Sequence, residues 1–389
     1  GDVYKRQDKK KAYGRGGVSR AGKKENLKNL YQGDRGILVS YMQLALKRAG
    51  YPLLVDGIFG TDTCRALADF LQTDRTPDRI CVVDRSAWEK LLPYLRGYTT
   101  EEGENRILFE DPVTSVEVPY TSLLTAAVID GILARYPFLK SGEIGKSVMG
   151  KPISYLEIGN GEKEVFYNAS FHANESITTP VLLKFAEEYA QAYEKGTALY
   201  GVPAAELFEE YRLFLVPLVN PDGVDLVNGL LTDGGYYRRA QQIASDYPAI
   251  PFPSGWKANI EGIDLNLQFP AGWENAKRIK YAQGYTKPAP RDYVGEAPLT
   301  APESEAVYAF TRSHDFRLIL AYHTQGEVIY WKYLDYEPAH SYEIAQYFGR
   351  VSGYTVEETP TQSGYAGYKD WFIQELSLIH ISEPTRLGM

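Results

Sequence analysis

A buried-strand pattern that ends at a histidine is the feature that most constrains this chain. The residues from Val165 to Phe171 are almost all apolar or aromatic, which predicts a strand covered on both faces. A helix is predicted next, with Thr179 as its N-cap and Gly196 at its end. His172 and Glu175 are therefore expected at a junction between a strand and a helix.

The spacing His-x-x-Glu places one imidazole and one carboxylate where both can bind the same zinc ion. A catalytic zinc site usually has three protein ligands and one open position, so a further ligand is expected. The chain has five histidines, and His323 directly follows a second buried-strand pattern, Phe316 to Tyr322. In an open α/β sheet the ends of such strands meet. Taken alone, His-x-x-Glu is common by chance, and the two strand-end positions are what favour His172, Glu175 and His323 as a metal site.

Five further segments occur in order between about Val118 and Glu375: SFHANE, LVNPDGVDLVN, GIDLN, YHTQGEVIYW and GYKDWF. Together they resemble the M14 family of zinc carboxypeptidases, and within it the bacterial γ-D-glutamyl-L-diamino acid endopeptidases, which cut peptidoglycan stem peptides. The resemblance implies an α/β fold with a mixed central sheet flanked by helices. It also implies one zinc ion per chain, held by His172, Glu175 and His323.

Positions around the implied zinc site suggest how a substrate would be bound. The family grips a terminal carboxylate with an Asn-Arg pair; Asn266 is present here, but Leu267 replaces the arginine. Without that bidentate donor, simple carboxypeptidase specificity is not expected. Lys257 lies near the family's cation for the developing oxyanion, with a solvated lysine as the alternative. Tyr365 lies on the loop where the family has a mobile tyrosine over the substrate.

The resemblance fails at the C-terminal end. The family's general base, a glutamate, is expected near position 384, where this chain has Pro384. Residues 376–389 instead resemble translated sequencing adaptor, as does the opening GDVYKRQ, so the natural termini are not expected to be present. Glu383 is given no functional weight because the following proline disfavours a ladder strand. Glu375 comes about nine positions too early to substitute.

A small helical unit is predicted for residues 33–95. Three short helices are expected, near residues 38–49, 62–71 and 86–95, and together they form a minimal all-α bundle. The pattern DGIFG-x-x-T-x-x-A-x-x-x-F resembles the peptidoglycan-binding domain 1 family; the alternative is a helical spacer. The two cysteines, Cys64 and Cys81, are predicted either to pair or to remain free buried thiols.

These predictions divide the chain into five parts. They are a basic tail (1–32), the helical unit (33–95), an acidic linker (96–117), a peptidase domain (118–375) and the adaptor-like tail (376–389). The formal net charge of −8 gives no sign of a nucleic-acid partner. No apolar run reaches the length of a membrane span.

The favoured function is a zinc metallopeptidase that cleaves γ-D-glutamyl–diamino acid bonds, impaired because its general base is missing. The expected partners are peptidoglycan and its stem peptides, at the cell wall or outside the cell. The alternatives are a general zinc carboxypeptidase and a non-catalytic wall-binding protein.

Overall fold

A computed structural model describes residues 27–73, 81–324 and 326–376, together with the backbone of residues 379–384. The chain divides into two compact units, which are described one after the other. The first comprises residues 1–118 and 126–140, and the second comprises residues 119–125 and 141–389. Residues 1–26 of the predicted basic tail, which include the opening adaptor-like residues, lie outside the described residues, as do residues 377–378 and 385–389 of the adaptor-like tail.

The first unit contains the three predicted helices and two small antiparallel strand pairs. Its elements in chain order are β1 (Leu30–Tyr31), α1 (Ile37–Arg48), α2 (Thr61–Leu71), β2 (Val82–Val83), α3 (Arg85–Arg96), β3 (Tyr98–Glu101) and β4 (Glu104–Ile107). Asp84 caps α3, because its side chain accepts a hydrogen bond from the backbone N–H of Ala87 at 2.9 Å. The helices bury apolar residues of the predicted periodicity, among them Met42, Leu67 and Trp88.

A disulfide bond between Cys64 and Cys81 answers the question that the sequence left open. It ties α2 to the segment just before β2. A buried glutamine, Gln43, fixes the predicted turn between α1 and α2: its side-chain oxygen accepts from the N–H groups of Asp56 and Gly57 at 3.1 and 2.8 Å. The unit is therefore held by a covalent link and a buried polar contact as well as by its apolar core.

The stretch predicted as an acidic linker, residues 96–117, contains more structure than its composition indicated. Strands β3 and β4 pair directly across a two-residue loop, Glu102-Gly103. Both loop residues have positive φ, 52° and 86°, as in the tight hairpin turn that matches the twist of its strands. The prediction missed this hairpin because Glu102 is not a usual residue for the first loop position.

The second unit is built around an eight-stranded sheet. Helix α4 (Ser122–Arg135) contributes residues to both units, and the elements that follow it are β5 (Lys140–Lys146), β6 (Pro152–Ile158), β7 (Lys163–Asn168), α5 (Thr178–Lys195), β8 (Ala198–Leu199), β9 (Val202–Pro203), α6 (Ala204–Glu210), β10 (Tyr211–Val216), α7 (Pro221–Val227), α8 (Gly234–Ser245), α9 (Trp273–Ala282), α10 (Pro302–Arg312), β11 (Phe316–His323), β12 (Val328–Tyr330), α11 (Ser341–Ser352), β13 (Thr355–Glu357), α12 (Tyr368–Leu376) and β14 (Ile379–Pro384). Among the described residues, no helix has the length and apolarity needed to cross a membrane.

The strand order is β13-β12-β14-β11-β7-β10-β6-β5. Strands β14, β11, β7 and β10 run parallel, whereas β12 is antiparallel to β14 and β6 to β10. The predicted mixed sheet flanked by helices is therefore confirmed. Strands β7 and β11 consist largely of apolar residues because the sheet is covered on both faces. Phe166 and Ile319 pack in one apolar cluster, while Tyr167 and Leu320 pack in another.

Two details of the second unit correct the sequence predictions. The backbone of residues 379–384 forms β14 between β11 and β12, so the expectation that Pro384 disfavours a ladder strand was wrong. Pro384 is the last residue of β14, where its missing N–H interrupts no further pairing along the strand. Thr179 is not the N-cap of α5, because the helix begins at Thr178 and the Thr179 hydroxyl donates to the carbonyl of Pro217 at 2.6 Å.

Candidate metal centre and substrate cavity

The predicted metal ligands lie together at the carboxyl ends of neighbouring parallel strands. His323 is the last residue of β11, and His172 follows β7, its partner in the sheet. Glu175 ends the short 3-10 turn that begins at Ala173. One ligand atom from each of His172, Glu175 and His323 lies within 4.8 Å of the other two. Sequence reasoning thus identified a group of side chains that the fold brings together.

Backbone contacts hold the loop that carries His172. The side-chain amide of Asn220 donates to the carbonyl oxygens of Phe171 and Ala258 at 3.2 and 3.0 Å. The N–H of Ala173 donates to the carbonyl of Lys257 at 3.0 Å. Asn220 therefore fixes the residue before His172, and the carbonyl of Lys257 fixes the residue after it.

The donor atoms fit a tetrahedral zinc ion. Glu175 Oε1 is 3.2 Å from Nδ1 of His172, and Glu175 Oε2 is 2.9 Å from Nδ1 of His323. The two Nδ1 atoms are 3.2 Å apart. Zinc–ligand bonds of about 2.0–2.1 Å at tetrahedral angles place neighbouring ligand atoms about 3.3 Å apart. The convergence of two imidazole nitrogens and a carboxylate at this spacing is the arrangement that a zinc ion would fill.

Asp264 sets the orientation of the His172 ring. Its Oδ1 lies 3.3 Å from Nε2 of His172, and its Oδ2 accepts from the N–H of Asp292 at 3.1 Å. With the proton on Nε2, the lone pair of Nδ1 faces Glu175 and His323, as a metal ligand requires. Asp264 was not predicted as a site residue, although the segment GIDLN that contains it was.

Electrostatics within this group strongly favour the charged forms. Burial lowers the pKa of His172, but Glu175 and Asp264 outweigh it and raise the pKa to about 9. Burial raises the pKa of Glu175, yet His172 and His323 hold it well below its usual value. Burial acts on Asp264 in the same way, and His172 keeps its pKa low. Glu175 and Asp264 are therefore carboxylates facing two histidines.

A cavity of about 280 Å³ opens beside these residues and is large enough for a small substrate. Its lining combines metal-site residues with cations and acids from distant parts of the chain: His172, Glu175, Lys257, Asp264, Asn266, Leu267, Lys280, Arg291, Asp292, His323, Val328, Tyr330, Thr359, Ser363, Gly367, Lys369 and Asp370. Most of the charged members were missed, because no motif links them in sequence.

Three of the four residues predicted to contact the substrate line this cavity. Lys257 is buried in its wall, with Nζ 3.2 Å from Glu175 Oε1. Asn266 and Leu267 also line it, and Asn266 Oδ1 accepts from the N–H of Tyr368 at 3.0 Å. Tyr365 does not belong to the lining of this cavity, and the centre of its ring lies 6.4 Å from that of Tyr333.

The zinc carboxypeptidase family pattern matches residues 125–376, well over half of the chain. The chain belongs to the M14 zinc carboxypeptidase family. Zinc is the metal of this family, which agrees with the donor set formed by His172, Glu175 and His323.

Two bacterial proteins are more than 40% identical to this chain. γ-D-Glutamyl-L-diamino acid endopeptidase 1 of Lysinibacillus sphaericus is 48% identical over 241 residues, which are 62% of this chain and 59% of that protein. The uncharacterised protein YqgT of Bacillus subtilis (strain 168) is 43% identical over 309 residues, which are 75% of this chain and 80% of that protein. The chain therefore spans less than two thirds of the named endopeptidase.

Two solved structures share the fold. Thrombin activatable fibrinolysis inhibitor aligns with a TM-score of 0.55 at 18% identity, covering 71% of this chain and 69% of that one. Carboxypeptidase A of Helicoverpa armigera aligns with a TM-score of 0.50 at 18% identity, covering 85% and 87%. At this identity the likeness concerns the fold alone.

Proposed function

We propose that this chain is a zinc peptidase domain that acts on γ-D-glutamyl–diamino acid bonds of peptidoglycan stem peptides. The observation that carries the proposal is the convergence of His172, Glu175 and His323 at zinc-like spacing in the wall of a cavity. The similarity to an enzyme named for this bond supports the choice of substrate.

Each residue of the site has a definable task in amide hydrolysis. Asp264 accepts a hydrogen bond from the Nε2–H of His172 and so turns Nδ1 towards the metal position. When bound, zinc would polarise the scissile carbonyl and acidify a water molecule. Lys257, held against Glu175 in the cavity wall, stabilises negative charge that develops on the carbonyl oxygen.

Position 384 explains why the activity of this sequence would be impaired. In the sheet register, Pro384 pairs with His323, so the position expected for the general base lies beside a metal ligand. Proline carries no carboxylate to take a proton from water and return it to the leaving amine. Glu375 does not replace it, because it lies on α12 with its carboxylate 3.8 Å from Arg312.

Leu267 favours this substrate over that of a general carboxypeptidase. It lines the cavity with an apolar side chain where a terminal carboxylate would need a bidentate donor. A purely wall-binding role is disfavoured by the intact set of metal ligands.

We also propose that residues 33–95 retain the protein at the cell wall, outside the cytoplasm. The three-helix bundle supports a binding role, and the Cys64–Cys81 disulfide suits an oxidising compartment.

The test is hydrolysis of the peptide L-Ala-γ-D-Glu-diaminopimelate at matched zinc content. The present sequence is compared with a chain whose residues 376–389 are replaced by the C-terminal segment of a relative that carries the glutamate. The replacement should raise the rate by about 10²–10⁴-fold, the usual contribution of a general base. The control carries glutamine in place of that glutamate. Equal rates would show that the base lies elsewhere, and no cleavage by the repaired chain would refute the proposed function.

A further inference from the structure

Arg291 occupies a fixed place in the wall of the metal-site cavity. The carbonyl of Pro290 accepts from the backbone N–H groups of Lys257 and Ala258 at 2.7 and 2.9 Å. On the other side, the N–H of Asp292 donates to Asp264 Oδ2 at 3.1 Å. The residues before and after Arg291 are therefore both hydrogen-bonded to segments next to the metal centre. These contacts fix the position of the Arg291 backbone.

The guanidinium group of Arg291 has hydrogen-bond donors that are available to a ligand. Its Nε donates to Asp292 Oδ2 at 2.7 Å, and its side chain is 39% exposed. Within the described part of the chain, neither terminal nitrogen has a hydrogen-bond partner. One N–H from each of these two nitrogens points in the same direction, the geometry that binds a carboxylate through two parallel hydrogen bonds.

Arg291 shares its acidic partner with a second cation. Asp292 is shared by two cations, because Lys280 Nζ lies 2.5 Å from its Oδ1 while Arg291 Nε lies 2.7 Å from its Oδ2. The other two lysines of the lining are each matched by an acid: Lys257 contacts Glu175, and Lys369 contacts Asp370. The Lys280–Asp292–Arg291 group therefore places two cations around one carboxylate, and Asp264 is the next acid that acts on Arg291.

We propose that Arg291 binds a free carboxylate of the substrate next to the scissile amide. This inference rests on the proposed function, because it is γ-D-glutamyl–diamino acid peptides that carry carboxylates on both sides of the bond. One is the α-carboxylate of D-glutamate, which stays free when its side chain forms the amide. The others belong to the diamino acid. Leu267 offers an anion no donor, so Arg291 determines this specificity.

The experiment measures binding by calorimetry to the zinc-loaded chain, so that it does not depend on turnover. Three peptides are compared: L-Ala-γ-D-Glu-diaminopimelate, the same peptide with the D-glutamate α-carboxylate amidated, and a form with the diaminopimelate carboxylates amidated. The proteins are the unchanged chain, Arg291→Gln, Arg291→Lys and the control Arg350→Gln, which alters an exposed arginine on α11. Zinc content and thermal unfolding are recorded for each protein.

Arg291→Gln should bind the parent peptide about 10- to 100-fold more weakly, as expected for loss of a charge-assisted pair of hydrogen bonds. Arg291→Lys should fall between, because it keeps the charge but not the fork. Amidation of the carboxylate that Arg291 binds should weaken peptide binding to the unchanged chain. The unchanged chain and Arg291→Gln should then bind the amidated peptide with equal affinity. The amide that has this effect identifies which carboxylate is bound. Arg350→Gln should bind like the unchanged chain.

Two results would overturn the inference: unchanged affinity in Arg291→Gln, or an equal loss for all three peptides, which would indicate a purely structural role. If the unchanged chain binds none of the peptides, the proposed function fails instead. The inference is then tested by comparing the binding of glutarate with that of its monoamide, in which an amide replaces one of the two carboxylates. A preference for glutarate that disappears in Arg291→Gln supports it, and an unaltered preference overturns it.

Discussion

Replacing Asp264 with asparagine should weaken zinc binding although Asp264 is not itself a ligand. The carboxylate accepts three contacts: Oδ1 lies 3.3 Å from His172 Nε2 and 3.2 Å from the N–H of Asn266, and Oδ2 lies 3.1 Å from the N–H of Asp292. An amide has a single acceptor oxygen, so its NH₂ group must face at least one of these donors. The variant loses the charge and either the His172 contact or the Asp292 contact.

The magnitude follows from two opposing effects. Loss of a carboxylate that orients a metal-binding histidine typically costs about 10–100-fold in metal affinity. Asp264 also helps to raise the pKa of His172 to about 9 in the metal-free protein. Zinc must displace that proton, so at neutral pH the carboxylate also hinders metal binding. Removing Asp264 lowers the pKa of His172, so below pH 9 the proton on His172 competes less strongly with zinc. Above pH 9 that proton is already absent, and the variant shows only the loss of ring orientation.

We therefore expect Asp264→Asn to show its full deficit near pH 9 and a smaller deficit near pH 7. Zinc affinity would be measured by competition with a chromophoric chelator across this range. Asp315→Asn is the matched control, since Asp315 is an exposed acid that pairs with Arg317 at 3.0 Å. Affinity equal to that of the unchanged protein near pH 9, or a deficit that grows as the pH falls, would refute the reasoning.

Three further predictions concern the metal, the core and the first unit. His323→Ala should reduce zinc well below one ion per chain by elemental analysis, while His340→Ala, at an exposed position, should not; unchanged zinc in His323→Ala would remove it from the site. Burial raises the pKa of Glu303 from 4.5 to about 7. Its protonation therefore contributes fully to the free energy of unfolding below about pH 4.5, and this contribution is lost as the pH rises through 7. Urea unfolding should show the unchanged protein losing on the order of 3 kcal/mol relative to Glu303→Gln across that interval, and parallel pH profiles would contradict this. Sedimentation with purified peptidoglycan should retain the full chain but not a chain that begins at residue 100; equal retention would show that residues 33–95 do not bind the wall.

The core of the second unit could be predicted because its signals are local. The apolar runs that end near His172 and at His323 marked β7 and β11, and these strands are neighbours in the sheet. Gly196 ends α5, as predicted, and it does so in the left-handed conformation. By contrast, the hairpin at residues 98–107 and the Cys64–Cys81 bond depend on turn geometry and spatial proximity, which composition does not show.

The sequence predicted the three side chains that meet at the candidate metal centre but few of the charged residues that line the cavity, and the reason is physical. A metal site needs few ligands at short range, so two strand ends and a three-residue spacing were enough to predict which side chains would lie together. The cavity wall draws its charge from loops whose positions are set by backbone contacts, such as that between Lys257 N–H and the carbonyl of Pro290 at 2.7 Å. Such contacts use groups that every residue has, so they leave no pattern of side chains to recognise. Arg291 is one residue away from that carbonyl in sequence, and only the folded chain shows that it faces the same cavity as His172.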